Sequence, residues 1–417
     1  MKIKNIVFFF PSKQTGGAQY LFIRYSIFLC KYAPQYKVMY VDYADGFAKK
    51  QLMNENVFFY EYKQHSKIRI PNDSVVIFQL NRISDFKNEI EYDVQHTSFM
   101  FWYLHVTNLH DQVFARGVYL LNKKDRKKIG NCIDYLIDND TIKLMGKTDY
   151  FDFNKDFFIG SHDVDIIPYI LPIDNFPAVQ LRTTLSLDSV RFCWLGRLDE
   201  EKSRNIVTYF NEIEELHKQY SVSLSIIGVG PAMSLLKAEA KKYSFPIFFV
   251  GEKRDAELDS YIRNNVDIGL ASGTSSLEFG FRGVPVIEQW VISQIYNSGE
   301  CRDYTHVYDR YKYDERDLVN KINVTQNTFL NKFEEIISNY SATTQKSYEF
   351  SIQYTPETGG KKFLDSIRKL ECLYSVNSVR SIDIMSSLLI KANLRREFLS
   401  RAKQILSLRT IRELISK

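Results

Sequence analysis

The chain has 417 residues, 45% hydrophobic and 25% charged, with a formal net charge of +5. This balance excludes a disordered or low-complexity protein, and the length calls for two domains of ordinary size. The basic excess is confined to the end: Arg380 to Lys417 hold nine Lys or Arg against three acidic residues, a net of +6, so the preceding 379 residues are close to neutral.

Aromatic residues make up 14% of the chain but are scattered, not gathered into stacking platforms, so nucleic acid is not an expected partner. Cys30, Cys132, Cys193, Cys301 and Cys372 stand far apart without paired spacing, which points to reduced thiols in a cytoplasmic protein rather than a disulfide frame or a zinc site. The apolar run Ile6 to Phe10 is too short for a signal-peptide core, and no uncharged apolar stretch of about 18 residues occurs. The protein is expected to be soluble, or at most to lie on a membrane.

Ile6 to Phe10 reads as a first buried strand, followed by a loop holding Gly16 and Gly17 and then a helix through Tyr32. A glycine pair there lets a ligand approach the backbone at a helix N-terminus, as in a nucleotide-binding half of a doubly wound sheet; a plain tight turn would read the same. Further strands are predicted at Lys37 to Val41, Val57 to Tyr60, Val75 to Leu80, Phe99 to His105, Gly117 to Leu121 and Ile166 to Tyr169. Strands alternating with crossovers give a parallel sheet covered on both faces. His105, His110 and Asp111 stand at and just past the end of the strongest strand, where open parallel sheets bind ligands, although a histidine in such a place is also a common structural residue. Leu171 to Ser189, with two prolines and a Thr- and Ser-rich finish, reads as the connection between domains and a hinge.

The second half opens with a strand from Val190, ended by Gly196. A charged loop with Arg197 and Lys202 then leads into a helix expected from Asn205 to Tyr220. Two cations at the start of a helix suit a phosphate, while the bland alternative pairs them with Asp199, Glu200 and Glu201. Strands follow at Leu224 to Ile227, ended by Gly228 and Gly230, at Ile247 to Val250, at Val266 to Ala271 and at Val284 to Ile287. Between the last two, Gly273 allows close backbone approach, and the hydroxyls of Thr274, Ser275 and Ser276 either cap a helix or leave its first N–H groups to a phosphate. Glu278 is expected in the first turn, where it can accept from a diol such as a ribose or act as a capping carboxylate.

Together, Gly196, Arg197 and Lys202, the turn from Gly228 to Pro231 and the stretch Val266 to Ile287 resemble the C-terminal half of GT-B glycosyltransferases of the family 4 type; Gly16 and Gly17 resemble the glycine pair these enzymes place after their first strand. The resemblance spans residues 6 to about 370 and implies an α/β fold of two Rossmann-like doubly wound parallel-sheet domains facing a cleft, with a helical tail. It further implies Arg197 and Lys202 on the diphosphate of a nucleotide-sugar donor, Glu278 on its ribose, and His105 facing the donor sugar. Gly16, Gly17, Gly228, Gly230, Gly273, Thr274, Ser275 and Ser276 would complete the donor site. One departure stands out: the family's first glutamate falls here on Leu270, which puts retention of anomeric configuration in question.

The domains expected on this basis are 1–175, a linker at 176–189, 190–353, a helix at 354–376 returning to the first domain, and a basic tail at 377–417. Ile384, Leu388, Leu389, Leu394, Phe398, Ile405 and Leu408 can share one face of the tail, either against anionic lipid on the inner face of the plasma membrane or against protein. The expected activity is transfer of a sugar, with retention of configuration, to a cell-surface glycan, free or polyprenyl-linked, with no cofactor and no metal, since no Asp-x-Asp pair stands at a convincing strand end. A sugar-nucleotide epimerase of the same fold and a non-catalytic nucleotide- or glycan-binding scaffold are the alternatives.

Overall fold

In the computed structural model the chain divides into two compact units, residues 1–173 with 359–417, and residues 174–358. The structure describes residues 2–13, 16–64, 66–84, 86–104, 109–115, 118–146, 156–160, 162, 165–171, 179–291, 302–309, 328–372 and 376–415.

The first unit is built on β1 (Asn5–Phe9), α1 (Gly17–Tyr32), β2 (Lys37–Asp42), β3 (Phe58–Glu61), β4 (Ser74–Gln79), β5 (Thr97–Tyr103), α2 (Lys123–Asp138) and β6 (Ile142–Leu144). Its strands form one parallel sheet in the order β6-β5-β4-β1-β2-β3. The central strands are apolar on both faces because helices cover both, which explains their continuous hydrophobic runs.

The second unit holds β7 (Val190–Leu195), α3 (Glu200–His217), β8 (Val222–Ile227), α4 (Met233–Ala240), β9 (Ile247–Gly251), α5 (Asp255–Asn265), β10 (Ile268–Ala271), α6 (Thr274–Phe281), β11 (Val286–Val291), β12 (Arg302–His306), α7 (Phe329–Ser338) and α8 (Tyr340–Ser351). The sheet order is β9-β8-β7-β10-β11-β12, parallel except for β12. Both sheets repeat one winding, in which the first strand lies at the centre and the chain turns back across it.

The chain then adds α9 (Lys361–Cys372) and α10 (Val376–Ile415) to the first unit. Phe363 of α9 stacks on Phe8 and Trp102 with ring centroids 6.2 and 5.8 Å apart, and Lys369 reaches Asp165 at 2.5 Å.

Several sequence expectations are corrected. Val118–Tyr119 pairs only with Phe114–Ala115 in a small antiparallel ladder, and Val118 is half exposed, so this stretch is no sheet strand. Ile166 makes one isolated bridge to Leu144. The edge strand β6 escaped notice because it is three residues long with Lys143 in its middle, a lysine buried against Asp140 and Asp165. The polar β12 has no apolar run to mark it in sequence, yet it buries Tyr304, Thr305 and His306.

The described part of the expected linker is fastened down. Arg182 donates to the Val266 carbonyl at 3.0 Å and pairs with Asp267 at 2.6 Å, where Arg191 also binds. In the tail, the apolar residues do not share one face: Leu389 joins Ile382, Met385 and Ala392 in the first unit's core, while Ile384, Leu394 and Phe398 are exposed. Among the described residues no helix is long and apolar enough to cross a membrane.

One consequence is measurable. His306 is buried with Nε2 2.8 Å from Glu335; burial lowers its pKa while Glu335 acts the other way, and the net shift is downward. The unfolded chain takes up that proton near pH 6.5 and the folded chain resists it, so stability is lost as pH falls below about 6.5. The denaturation midpoint of the second unit should drop between pH 7.5 and 5.5, with a flatter profile in His306→Gln; an unchanged profile in the variant would contradict this.

Candidate functional site

In the second unit β7 pairs with β8 on one side and β10 on the other, all parallel, so the loops after β7 and β10 leave the sheet side by side at the point where the winding reverses. Ligands of open α/β sheets bind in the crevice that opens there. The two stretches singled out in the sequence, Gly196 to Lys202 and Ser272 to Glu278, are these two loops with their helices.

The helix after β7 starts earlier than expected. Asp199 is its N-cap, with its carboxylate accepting from the Lys202 backbone N–H at 2.9 Å, so Lys202 is already in the first turn of α3. The Lys202 ammonium donates to the Ser272 hydroxyl at 3.1 Å, which ties one loop to the other. Arg197 stays on the surface, 64% exposed, with Asp199 3.4 Å away. An ion pair this long and this exposed holds little, so the guanidinium can turn to another anion.

Gly228 and Gly230 have a structural explanation. A Cβ on Gly228 would fall 1.9 Å from the Gly196 carbonyl oxygen, and one on Gly230 would fall 2.4 Å from that of Leu198. The backbones interlock there: Gly196 N–H donates to Ile227, Leu198 N–H to Val229 and Ala232 N–H to Leu198. These glycines set the position of the Arg197 loop by close packing. Gly273 differs, since its φ of 67° is left-handed and a Cβ there would meet nothing within 4 Å.

Gly273 is also the N-cap of α6 and has no side chain to cap with, so the first N–H groups of that helix carry the positive end of its dipole without a capping oxygen from that residue. Ser276 is not part of that cap. Its hydroxyl donates to Glu288 on β11, a buried carboxylate that no sequence motif marked.

Glu278 sits in the second turn, not the first. It is buried and pairs with Arg282 at 2.8 Å, and Arg282 lies 3.2 Å from Asp259. The i,i+4 spacing of Glu278 and Arg282 was visible in sequence, but not that the pair would be buried. Leu270, in the place of the family's first glutamate, lies inside β10 and is fully buried.

In the first unit, Gly16 is the N-cap of α1, and Gly17 stands where a Cβ would meet nothing within 4 Å. The acid at the end of β2 is committed to the fold: Asp42 accepts from the N–H groups of Ser12, Tyr43 and Ala48 at 2.8 to 2.9 Å. His105 lies outside the described residues. Among the described residues no group of three acidic, His or Cys side chains is placed to hold a metal ion.

No family model matches this sequence, and no curated protein does. Among solved structures, the chain is similar to the lipopolysaccharide outer core galactosyltransferase WaaB in its apo form, at 12% identity and a TM-score of 0.52 over 88% of this chain and 99% of that one. It also aligns with a glycosyltransferase from Rickettsia africae (13% identity, TM-score 0.47, 93% of this chain and 99% of that one) and with a UDP-glucose: anthocyanidin 3-O-glucosyltransferase in complex with UDP (10%, 0.45, 89% and 100%). The likeness to the first, with the two parallel sheets of matching winding, shows the fold: this chain has the GT-B fold, two Rossmann-like units and a C-terminal helical region.

The Glu278 network makes a testable demand. Arg282→Met leaves the buried Glu278 without its cation, while Asp259 keeps Arg263 at 2.8 Å, and should cost about 3–5 kcal/mol, whereas Glu278→Gln keeps an acceptor for Arg282 and should cost about 1–2 kcal/mol. Chemical denaturation measures both, and equal costs would contradict the shared-cation arrangement.

Proposed function

We propose that the protein is a glycosyltransferase that moves a sugar from a nucleotide-sugar donor to a hydroxyl of a growing cell-surface glycan, without a metal and with retention of configuration. The observation that carries this is the Lys202–Ser272 contact, which joins two phosphate-suited loops at the reversal point of one sheet. A departing nucleoside diphosphate is stabilised by Arg197, Lys202 and the N-terminus of α6: Lys202 is held in place by Ser272 before the bond breaks, and Arg197 turns to the anion as it binds. Glu278, oriented by Arg282, is the proposed ribose partner. The WaaB structure is named for a galactosyl transfer in lipopolysaccharide outer core, and this supports a bacterial surface glycan as the acceptor class here.

Arg197→Ala and Lys202→Ala should each lower the rate of nucleoside diphosphate release in the presence of acceptor by about 10²–10³-fold, or about 2–4 kcal/mol in the barrier. Unchanged rates in both would overturn the diphosphate assignment, and sugar-nucleotide conversion with no acceptor present would favour an epimerase.

The cytoplasmic face of the membrane is the proposed location. Ile390, Leu394 and Phe398 recur every fourth residue on α10 and are exposed, in a segment whose net charge is +6. Such a stripe suits anionic lipid and repels a second copy of itself. The protein should co-sediment with vesicles containing phosphatidylglycerol and not with phosphatidylcholine alone, and Leu394→Asp with Phe398→Asp should abolish this; binding unchanged in the double variant would remove the membrane assignment.

A further inference from the structure

Past the end of β5, on the side of the first sheet where parallel strands present ligand-binding loops, the fold assembles a polar and aromatic cluster around one buried carboxylate. Asp156 is 2% exposed. It accepts from His110 Nδ1 at 2.7 Å on one oxygen and from the Tyr119 hydroxyl at 2.8 Å on the other, while Arg126 donates to its backbone carbonyl at 2.9 Å. A carboxylate can only accept, so His110 Nδ1 carries its proton toward Asp156, and Nε2 is the polar atom left on a ring that is 30% exposed. Among the described residues Nε2 makes no hydrogen bond.

Phe158 adds an independent observation. Its φ is 60°, a left-handed conformation that a bulky residue adopts only under constraint, and the residue is 39% exposed. The backbone would be better served by glycine or asparagine, and part of the residue stays open to solvent although Lys123 and Arg126 lie 5.5 and 5.2 Å from the ring centroid. The Arg126 guanidinium lies 3.6 Å from the Tyr119 ring centroid and 5.2 Å from that of Phe158, which fixes the guanidinium against both rings.

We propose that His110, Tyr119, Arg126 and Phe158 form a saccharide-binding subsite on the first unit. A sugar ring offers an apolar C–H face edged by hydroxyls; the Phe158 ring takes the face, and His110 Nε2, oriented by Asp156, accepts a hydrogen bond from one hydroxyl. As the place of an acceptor sugar this rests on the glycosyl-transfer reading above, but the subsite is testable without it.

The experiment is saturation-transfer difference NMR of the full chain with methyl glucosides, methyl galactosides and methyl N-acetylglucosaminide, with nucleoside diphosphate binding measured on the same samples by thermal shift. At least one glycoside should give a saturable signal in the wild type and in Arg197→Ala. In Phe158→Gly and His110→Ala that signal should vanish or its half-saturation rise about tenfold. Phe158→Gly relieves the left-handed strain, so it should melt at or above the wild-type temperature while losing the sugar, an outcome that a purely structural role could not produce. No signal from any glycoside in the wild type, or equal signals in both variants, overturns the subsite. Diphosphate binding that persists in that case leaves the transferase reading standing, and saccharide binding without diphosphate binding sinks that reading and keeps the subsite.

Discussion

The pairing of β7 with β8 on one side and β10 on the other is the constraint on which the second unit depends. Because all three strands are parallel, each needs a crossover, and crossovers that depart in opposite directions leave their loops parted at the central strand. The location of the phosphate-suited groups follows from that winding. The groups themselves follow from the two loops that the winding exposes: a helix start with Lys202 in its first turn, and a second helix start capped by a glycine.

Topology alone leaves such loops free to wander, and close packing removes that freedom. The turn after β8 can lie on the Arg197 loop only because Gly228 and Gly230 have no side chains, and three backbone hydrogen bonds then lock the loops together. The Lys202–Ser272 bond closes the other side. The buried Glu278–Arg282 pair, with the partly buried Asp259 beside it, anchors α6 from beneath, where loss of Arg282 strands Glu278. The anion-binding geometry is therefore a property of backbone fit and buried charge, while Arg197, held by little, is the part able to move.

Much of this was legible in the residues. Apolar runs marked every strand of the second sheet except β12, with a glycine directly after β7 and β8 and at the end of β9, whereas the polar residues of β12 pair with a partner that only the folded sheet supplies. The helix starts at Glu200, five residues before the expected Asn205, because apolar spacing begins only with Ile206 whereas the cap is Asp199. Glu278 stands as a carboxylate in the sequence but is expected a turn too early, and neither the burial of its i,i+4 pair with Arg282 nor the approach of Asp259 from a different helix can be read there. The tail showed its amphipathic character but not its division into a face buried in the first unit's core and a face left outside, because periodicity does not say which neighbour covers which residues.

The measurement that bears most directly on the central claim is a crystal structure of the full chain soaked with a nucleoside diphosphate. The account expects the diphosphate at the reversal point of the second sheet, within hydrogen-bonding distance, about 3 Å, of the Lys202 ammonium and the first N–H groups of α6. A diphosphate bound instead after β1 beside Gly17, or density for none at saturating concentration, would contradict it.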